Sequence, residues 1–182
     1  MKKRTAQRVI VFLFLCTPAV VRAQSYHRLA ARDFAGTPPP ENGDIAYTRC
    51  DVEYTYQVVR NNRDYDITFD VRLNMDNYRS YIRLDHVNTR DQLQQILRHE
   101  QGHYNIAFLL KCEAYSVLTH HRYTANYHRE IDYLFKQVEA KYQKMNADYE
   151  AMTEHMLNDQ NQEKWNAWFS RQIDNVSLAS AN

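Results

Sequence analysis

The hydrophobic period of this chain changes once, near residue 89, and that change limits the fold more than any other feature. Cys50, Val52, Tyr54, Tyr56 and Val58 alternate with Asp51, Glu53, Thr55 and Gln57; after a turn at Asn61-Asn62, Tyr65, Ile67, Phe69, Val71 and Leu73 alternate with polar residues. A period of two belongs to strands with one buried face, so this half predicts a hairpin. A short third strand, Ser80 to Leu84, follows Asp76-Asn77 and would extend the hairpin into a three-stranded antiparallel meander. Beyond Thr89, which can cap a helix, Leu93, Ile96, Leu97, Ile106, Leu110, Ala114 and Val117 recur at helical spacing as far as His120. A second helix is expected over Tyr127 to Ala151, with Ile131, Leu134, Val138, Tyr142, Met145 and Tyr149 on its buried face. A closing helix from Gln160 to Ile173 would carry Trp165, Phe169 and Ile173 on one side. A small antiparallel sheet followed by three helices is an α+β domain.

The ends of the chain bound its setting. Lys2, Lys3, Arg4 and Arg8 precede an apolar run from Val9 to Val21, and Ala23 offers a cleavage site, which together read as a secretory signal peptide. The run is about 13 residues where a spanning helix needs roughly 20, so no membrane anchor is expected after cleavage. Removing residues 1–23 would take the charge from 23 basic against 22 acidic residues to a net of about −4, which argues against nucleic acid as a partner. The expected organisation is a leader (1–23), an extended arm (24–43) containing Thr37-Pro38-Pro39-Pro40, a single domain (44–176) and a C-terminal tail (177–182). The destination is the periplasm or the medium. There the remaining cysteines, Cys50 and Cys112, are free to form a disulfide, the alternative being two separate buried thiols.

Within the first helix stands His99-Glu100-Gln101-Gly102-His103. Histidines four apart share one helical face and can offer two neutral nitrogens to a tetrahedral metal, while the glutamate between them can act on water without occupying the metal. A catalytic zinc needs a third protein ligand. His155 at the end of the second helix is one candidate, and Glu130, Glu150, Glu154 and the pair His120-His121 compete with it. Glu113 would lie about 15 Å along the helix axis from His103, too far to share a metal. Gly102 is costly in mid-helix by about 1 kcal/mol against alanine. Close approach of another chain segment, or of substrate over the metal face, would account for it.

The stretch "LRHEQGHYNIA" resembles the signature of a family of uncharacterised bacterial secreted proteins, a domain of unknown function described as predicted zinc-dependent proteases; here Asn105 stands where that pattern is usually acidic. A second stretch, "YEAMTEHMLNDQNQEKWNAW", resembles the family's later pattern through Tyr149, Glu150, Thr153, His155, Gln162 and Trp165, with Met156 where glycine is common. The resemblance implies a zincin-like arrangement, with His99 and His103 as zinc ligands, Glu100 as catalytic base and His155 as third ligand.

On that footing the expected activity is hydrolysis of a peptide or protein substrate by a Zn2+-dependent peptidase. Tyr149 is the candidate donor to a developing oxyanion, with a buried, hydrogen-bonded tyrosine as the alternative. Thr153 would orient His155, or cap the helix end. The competing reading is a non-enzymatic extracytoplasmic binding module that retains the motif.

Overall fold

The computed structural model describes residues 26–40, 43–61 and 64–179; the expected leader, Asn62 and the last residues of the tail lie outside them. Two short strands, β1 (Ala46–Tyr47) and β4 (Tyr81–Ile82), enclose a long hairpin of β2 (Cys50–Asn61) and β3 (Asp64–Met75), and three helices follow: α1 (Arg90–His120), α2 (Tyr127–Thr153) and α3 (Asp159–Ala179). This is the expected order of a small antiparallel sheet and then helices. The alternation read from the sequence sets the register, with Val52 opposite Leu73, Tyr54 opposite Val71 and Tyr56 opposite Phe69. Phe69, Val71 and Leu73 are buried while Thr68, Asp70, Arg72 and Asn74 between them are exposed. Each fully buried side chain of this size contributes about 1.5–3 kcal/mol, so a one-residue slip of the strand would forfeit the whole face.

The third strand does not extend the hairpin into a meander. β4 pairs with β1 in a separate two-stranded sheet, Ala46 opposite Ile82 and Tyr47 opposite Tyr81. The cause is the turn after β3: Asp76 Oδ1 accepts from the backbone N–H of Tyr78 and Arg79, and its carbonyl accepts from Ser80 N–H and Ser80 Oγ. Buried Ser80 in turn accepts from Arg49 N–H at 2.8 Å, so the chain folds back on the segment joining β1 to β2 rather than alongside β3.

Thr89 caps α1 as expected, its hydroxyl accepting from Gln92 N–H at 3.1 Å. One face of α1 packs on the hairpin through Ile106 and Leu109, and the core continues through Ala114 and Leu118 to Ile131, Val138, Tyr142 and Tyr149 of α2 and Phe169 of α3. Glu113, set aside as a ligand, ties α1 to α2 by accepting from Lys141 Nζ at 2.6 Å and Tyr142 Oη at 2.8 Å. The closing helix carries Trp165, Phe169 and Ile173 on the core as anticipated but runs beyond Ile173 to Ala179. The arm begins along α1, where Tyr26 Oη donates to Asn105 Oδ1 at 2.8 Å and Leu29 N–H to Gln101 Oε1 at 2.7 Å, and continues to the turn after β3, where Ala35 and Gly36 N–H donate to the Asn77 and Ser80 carbonyls.

The proposed disulfide is absent. Cys50 and Cys112 are free thiols, each partly buried against the cluster of Leu29, Leu73, Tyr104 and Phe108, where each fills space beside the aromatic rings instead of meeting the other. Burial pushes the Cys50 thiol up to about 12, and that of Cys112 upward as well, which makes both poor nucleophiles at neutral pH.

α2 ends in three consecutive left-handed residues, Glu154 (φ 51°), His155 (φ 53°) and Met156 (φ 74°). This conformation costs a non-glycine residue roughly 1–2 kcal/mol. Glu154 is the exposed cap residue, its N–H bonded to the Glu150 carbonyl. Glu154→Gly is therefore expected to raise the unfolding free energy by about 0.5–1 kcal/mol, as read from the urea midpoint at unchanged slope.

Candidate metal centre

The middle of α1 supplies the centre of the site. His99 and His103, one turn apart, place their Nε2 atoms 3.3 Å from each other. Two nitrogens bound at about 2.0–2.1 Å to a tetrahedral zinc would be about 3.4 Å apart, so the pair already has a metal-binding separation. Each imidazole is held by its other nitrogen. His99 Nδ1 lies 3.2 Å from Gln162 Oε1 and His103 Nδ1 lies 2.7 Å from Asn146 Oδ1. An amide oxygen only accepts, so each ring donates from Nδ1, and both Nε2 atoms face inward, where a metal would take their lone pairs. With Glu100, the pair forms a cluster of donor atoms all within 4.8 Å of one another.

Glu100 is 4% exposed. Burial pushes its carboxyl up from the usual carboxylate range, opposed by the nearby His103 and His99 and by the Thr48 hydroxyl, which donates to Glu100 Oε2 at 2.5 Å. Thr48 follows β1 directly, so the small sheet of β1 and β4 positions the partner of the candidate base. Removing that donor leaves a buried acceptor unsatisfied, and Thr48→Val is expected to lower the unfolding free energy by about 1–2 kcal/mol. Thr48→Ser should be close to neutral; urea titration of the three proteins checks both.

Gly102 is explained by Tyr149. A Cβ on residue 102 would stand 2.2 Å from Tyr149 Oη and 2.3 Å from Cζ, so the missing side chain lets the α2 ring cross α1 between the two histidines. The Tyr149 ring stacks on His99 at 5.0 Å and meets His103 edge-on at 5.1 Å. Its hydroxyl donates to the His99 carbonyl at 2.9 Å and accepts from Gln162 Nε2 at 2.8 Å. The phenol is fully buried and hydrogen-bonded to both α1 and α3, an arrangement that braces the histidines.

At the end of α2, Glu150 reaches the same place. Its Oε1 lies 2.8 Å from His103 Nε2 and its Oε2 3.6 Å from His99 Nε2. Burial works against the charge of Glu150, but the contacts with His103 and His99 outweigh it and hold the carboxyl well below the usual range. His103 is correspondingly raised: burial opposes protonation, while Glu150 and Glu100 favour it more strongly. His155 sits outside this group. Its side chain is 81% exposed, with Nδ1 2.9 Å from Glu150 Oε2. Thr153 is fully buried with its hydroxyl donating to the Tyr149 carbonyl at 2.7 Å, which secures the last turn of α2. His120 and His121 lie at the far end of α1, where His121 Nε2 is 3.6 Å from Glu130 Oε2.

Two contributors had no assigned role in the sequence reading. Gln162 was visible only as one letter of the second motif, yet it joins His99 Nδ1, Tyr149 Oη and Asn166 Oδ1. Asn146 had one signal, its place four residues before Glu150, which puts both on the face of α2 turned toward α1.

A His-Glu-x-x-His group on a long helix that follows a small antiparallel sheet defines a zincin-like arrangement with residues able to ligate a metal ion. Residues 21–156 match the profile of a bacterial protein family of unknown function, DUF922, and the chain belongs to that family. Comparison with curated proteins and with solved structures returns no match. No helix among the described residues is long and apolar enough to cross a membrane.

Proposed function

We propose that this protein is an extracytoplasmic zinc-dependent peptidase. The observation that carries the reading is the pair of inward-facing Nε2 atoms 3.3 Å apart, each imidazole fixed by an amide oxygen on its other nitrogen. The donor set fits zinc: two neutral imidazoles with carboxylates beside them. A zinc held there would supply Lewis acidity, activating water and polarising the scissile carbonyl.

The chain's own residues do the rest. His99 and His103 would hold the metal on a rigid helix, and the end of α2, whose Glu150 lies against both Nε2 atoms, would supply the third position. Glu100 takes the proton of the attacking water and passes it to the departing amine. Thr48 Oγ fixes the orientation of that carboxylate. Tyr149, Gln162 and Asn146 keep the two imidazoles in place, so the phenol proposed from sequence as an oxyanion donor serves the site better as a brace. The substrate is an extended peptide, whose backbone groups would pair with a strand edge.

The near-complete burial of Glu100 favours one competing reading, a binding module that uses the metal for structure. Elemental analysis of exhaustively dialysed protein tests the shared premise. One zinc per chain is expected, with His99→Ala and His103→Ala each losing it. Metal-free wild-type protein would overturn both readings.

A further inference from the structure

We infer that Glu150, and not His155, is the third protein ligand of the metal centre, with His155 acting on Glu150 from the solvent side. This rests on the metal-centre reading above and makes the donor set two imidazoles and a carboxylate.

The carboxylate of Glu150 lies against both ligand nitrogens, with Oε1 at 2.8 Å from His103 Nε2 and Oε2 at 3.6 Å from His99 Nε2. Those separations bracket the spacing of two donors on one tetrahedral zinc, about 3.4 Å. Oε2 is buried, and its contacts, His155 Nδ1 at 2.9 Å and His99 Nε2 at 3.6 Å, do not have hydrogen-bond geometry. A buried carboxylate oxygen without a well-aligned hydrogen bond is costly, and a cation between Glu150 and the imidazoles would satisfy it.

The placement follows from the chain. Asn146, Tyr149, Glu150 and Thr153 recur at spacings of three and four, so the residue that fixes His103, the residue that crosses Gly102 and the carboxylate share one face of α2. His155 lies beyond the end of that helix, in the left-handed turn, and its side chain is 81% exposed with Nδ1 2.9 Å from Glu150 Oε2. There it can hold the carboxylate in orientation, as outer partners of metal ligands do. Its place in the second motif is then accounted for by Glu150.

The test uses the mature full chain loaded with zinc alone. X-ray absorption at the zinc edge counts imidazoles by their multiple-scattering pattern, and competition with a coloured chelator gives the affinity. Two imidazoles are expected in the wild type and in His155→Ala, whose affinity should fall by no more than the about 10–100-fold typical of an outer partner. Glu150→Gln should lose more than that range, and Glu150→Asp should recover part of the loss. Three imidazoles in the wild type, falling to two in His155→Ala, would overturn the assignment while leaving the metal centre standing. A wild type that binds no zinc would overturn both. The wild-type spectrum decides between Glu150 and His155 even where a variant folds poorly.

Discussion

Gly102→Ala is expected to destabilise the protein by at least about 2 kcal/mol net, although alanine is the better helix former by about 1 kcal/mol. The added methyl would occupy the Tyr149 ring, at 2.2 Å from Oη, 2.3 Å from Cζ and 2.8 Å from Cε1. The ring has little room to retreat. It is fully buried, with Trp165 at 5.5 Å and Phe169 at 5.8 Å, and its hydroxyl is bonded to the His99 carbonyl. Overpacking of a well-filled core commonly costs about 1–3 kcal/mol and at times more, and a contact this short belongs at the upper end. At about 2–4 °C per kcal/mol for a domain of this size, the melting temperature should fall by roughly 5–10 °C. Tyr149→Phe removes the atom nearest the new methyl, so the double variant should be more stable than the two single losses added together. Thermal and urea unfolding of the four proteins measures that coupling. Additive losses would mean that α1 and α2 do not meet at Gly102.

Glu100→Gln should leave zinc content and fold nearly unchanged while lowering peptide hydrolysis by about 10²–10⁴-fold. Glutamine keeps the length of the side chain, and its amide oxygen can still accept from Thr48 Oγ, now 2.5 Å from Glu100 Oε2. What it lacks is the capacity to take a proton, so the loss falls on the chemical step. His99→Ala should behave differently and lose the metal first. The measurement is cleavage of a diverse peptide library by wild type and both variants, with zinc determined in each preparation. Equal cleavage by wild type and Glu100→Gln would remove Glu100 as the base. Zinc-loaded wild type that cleaves nothing would favour the binding-module reading.

Local pattern alone determined much of this molecule. The alternation from Cys50 to Leu73 specified a hairpin and its buried face, because a strand's side chains alternate whatever surrounds them. The spacing from Thr89 onward specified α1 and its cap for the equivalent reason, and with them the shared face of His99 and His103. Gly102 announced a close approach without naming the partner, since a missing Cβ records that space is needed and not what fills it.

Only the tertiary structure decided the rest. β4 pairs with β1 and not with the hairpin, because backbone hydrogen bonds around Asp76 and Ser80 turn the chain, and strand pairing carries little signature in two residues. Cys50 and Cys112 remain apart, because a compatible compartment does not bring two sulfurs within bonding distance. The partners of the motif come from the segment after β1, from α2 and from α3: Thr48 meets Glu100 across 52 positions and Gln162 meets His99 across 63. Helical periodicity relates residues a few places apart and is silent at such separations. The packing of α1 against α2, settled where Tyr149 crosses Gly102, brings Glu150 to the two imidazoles and leaves His155 on the solvent side of it.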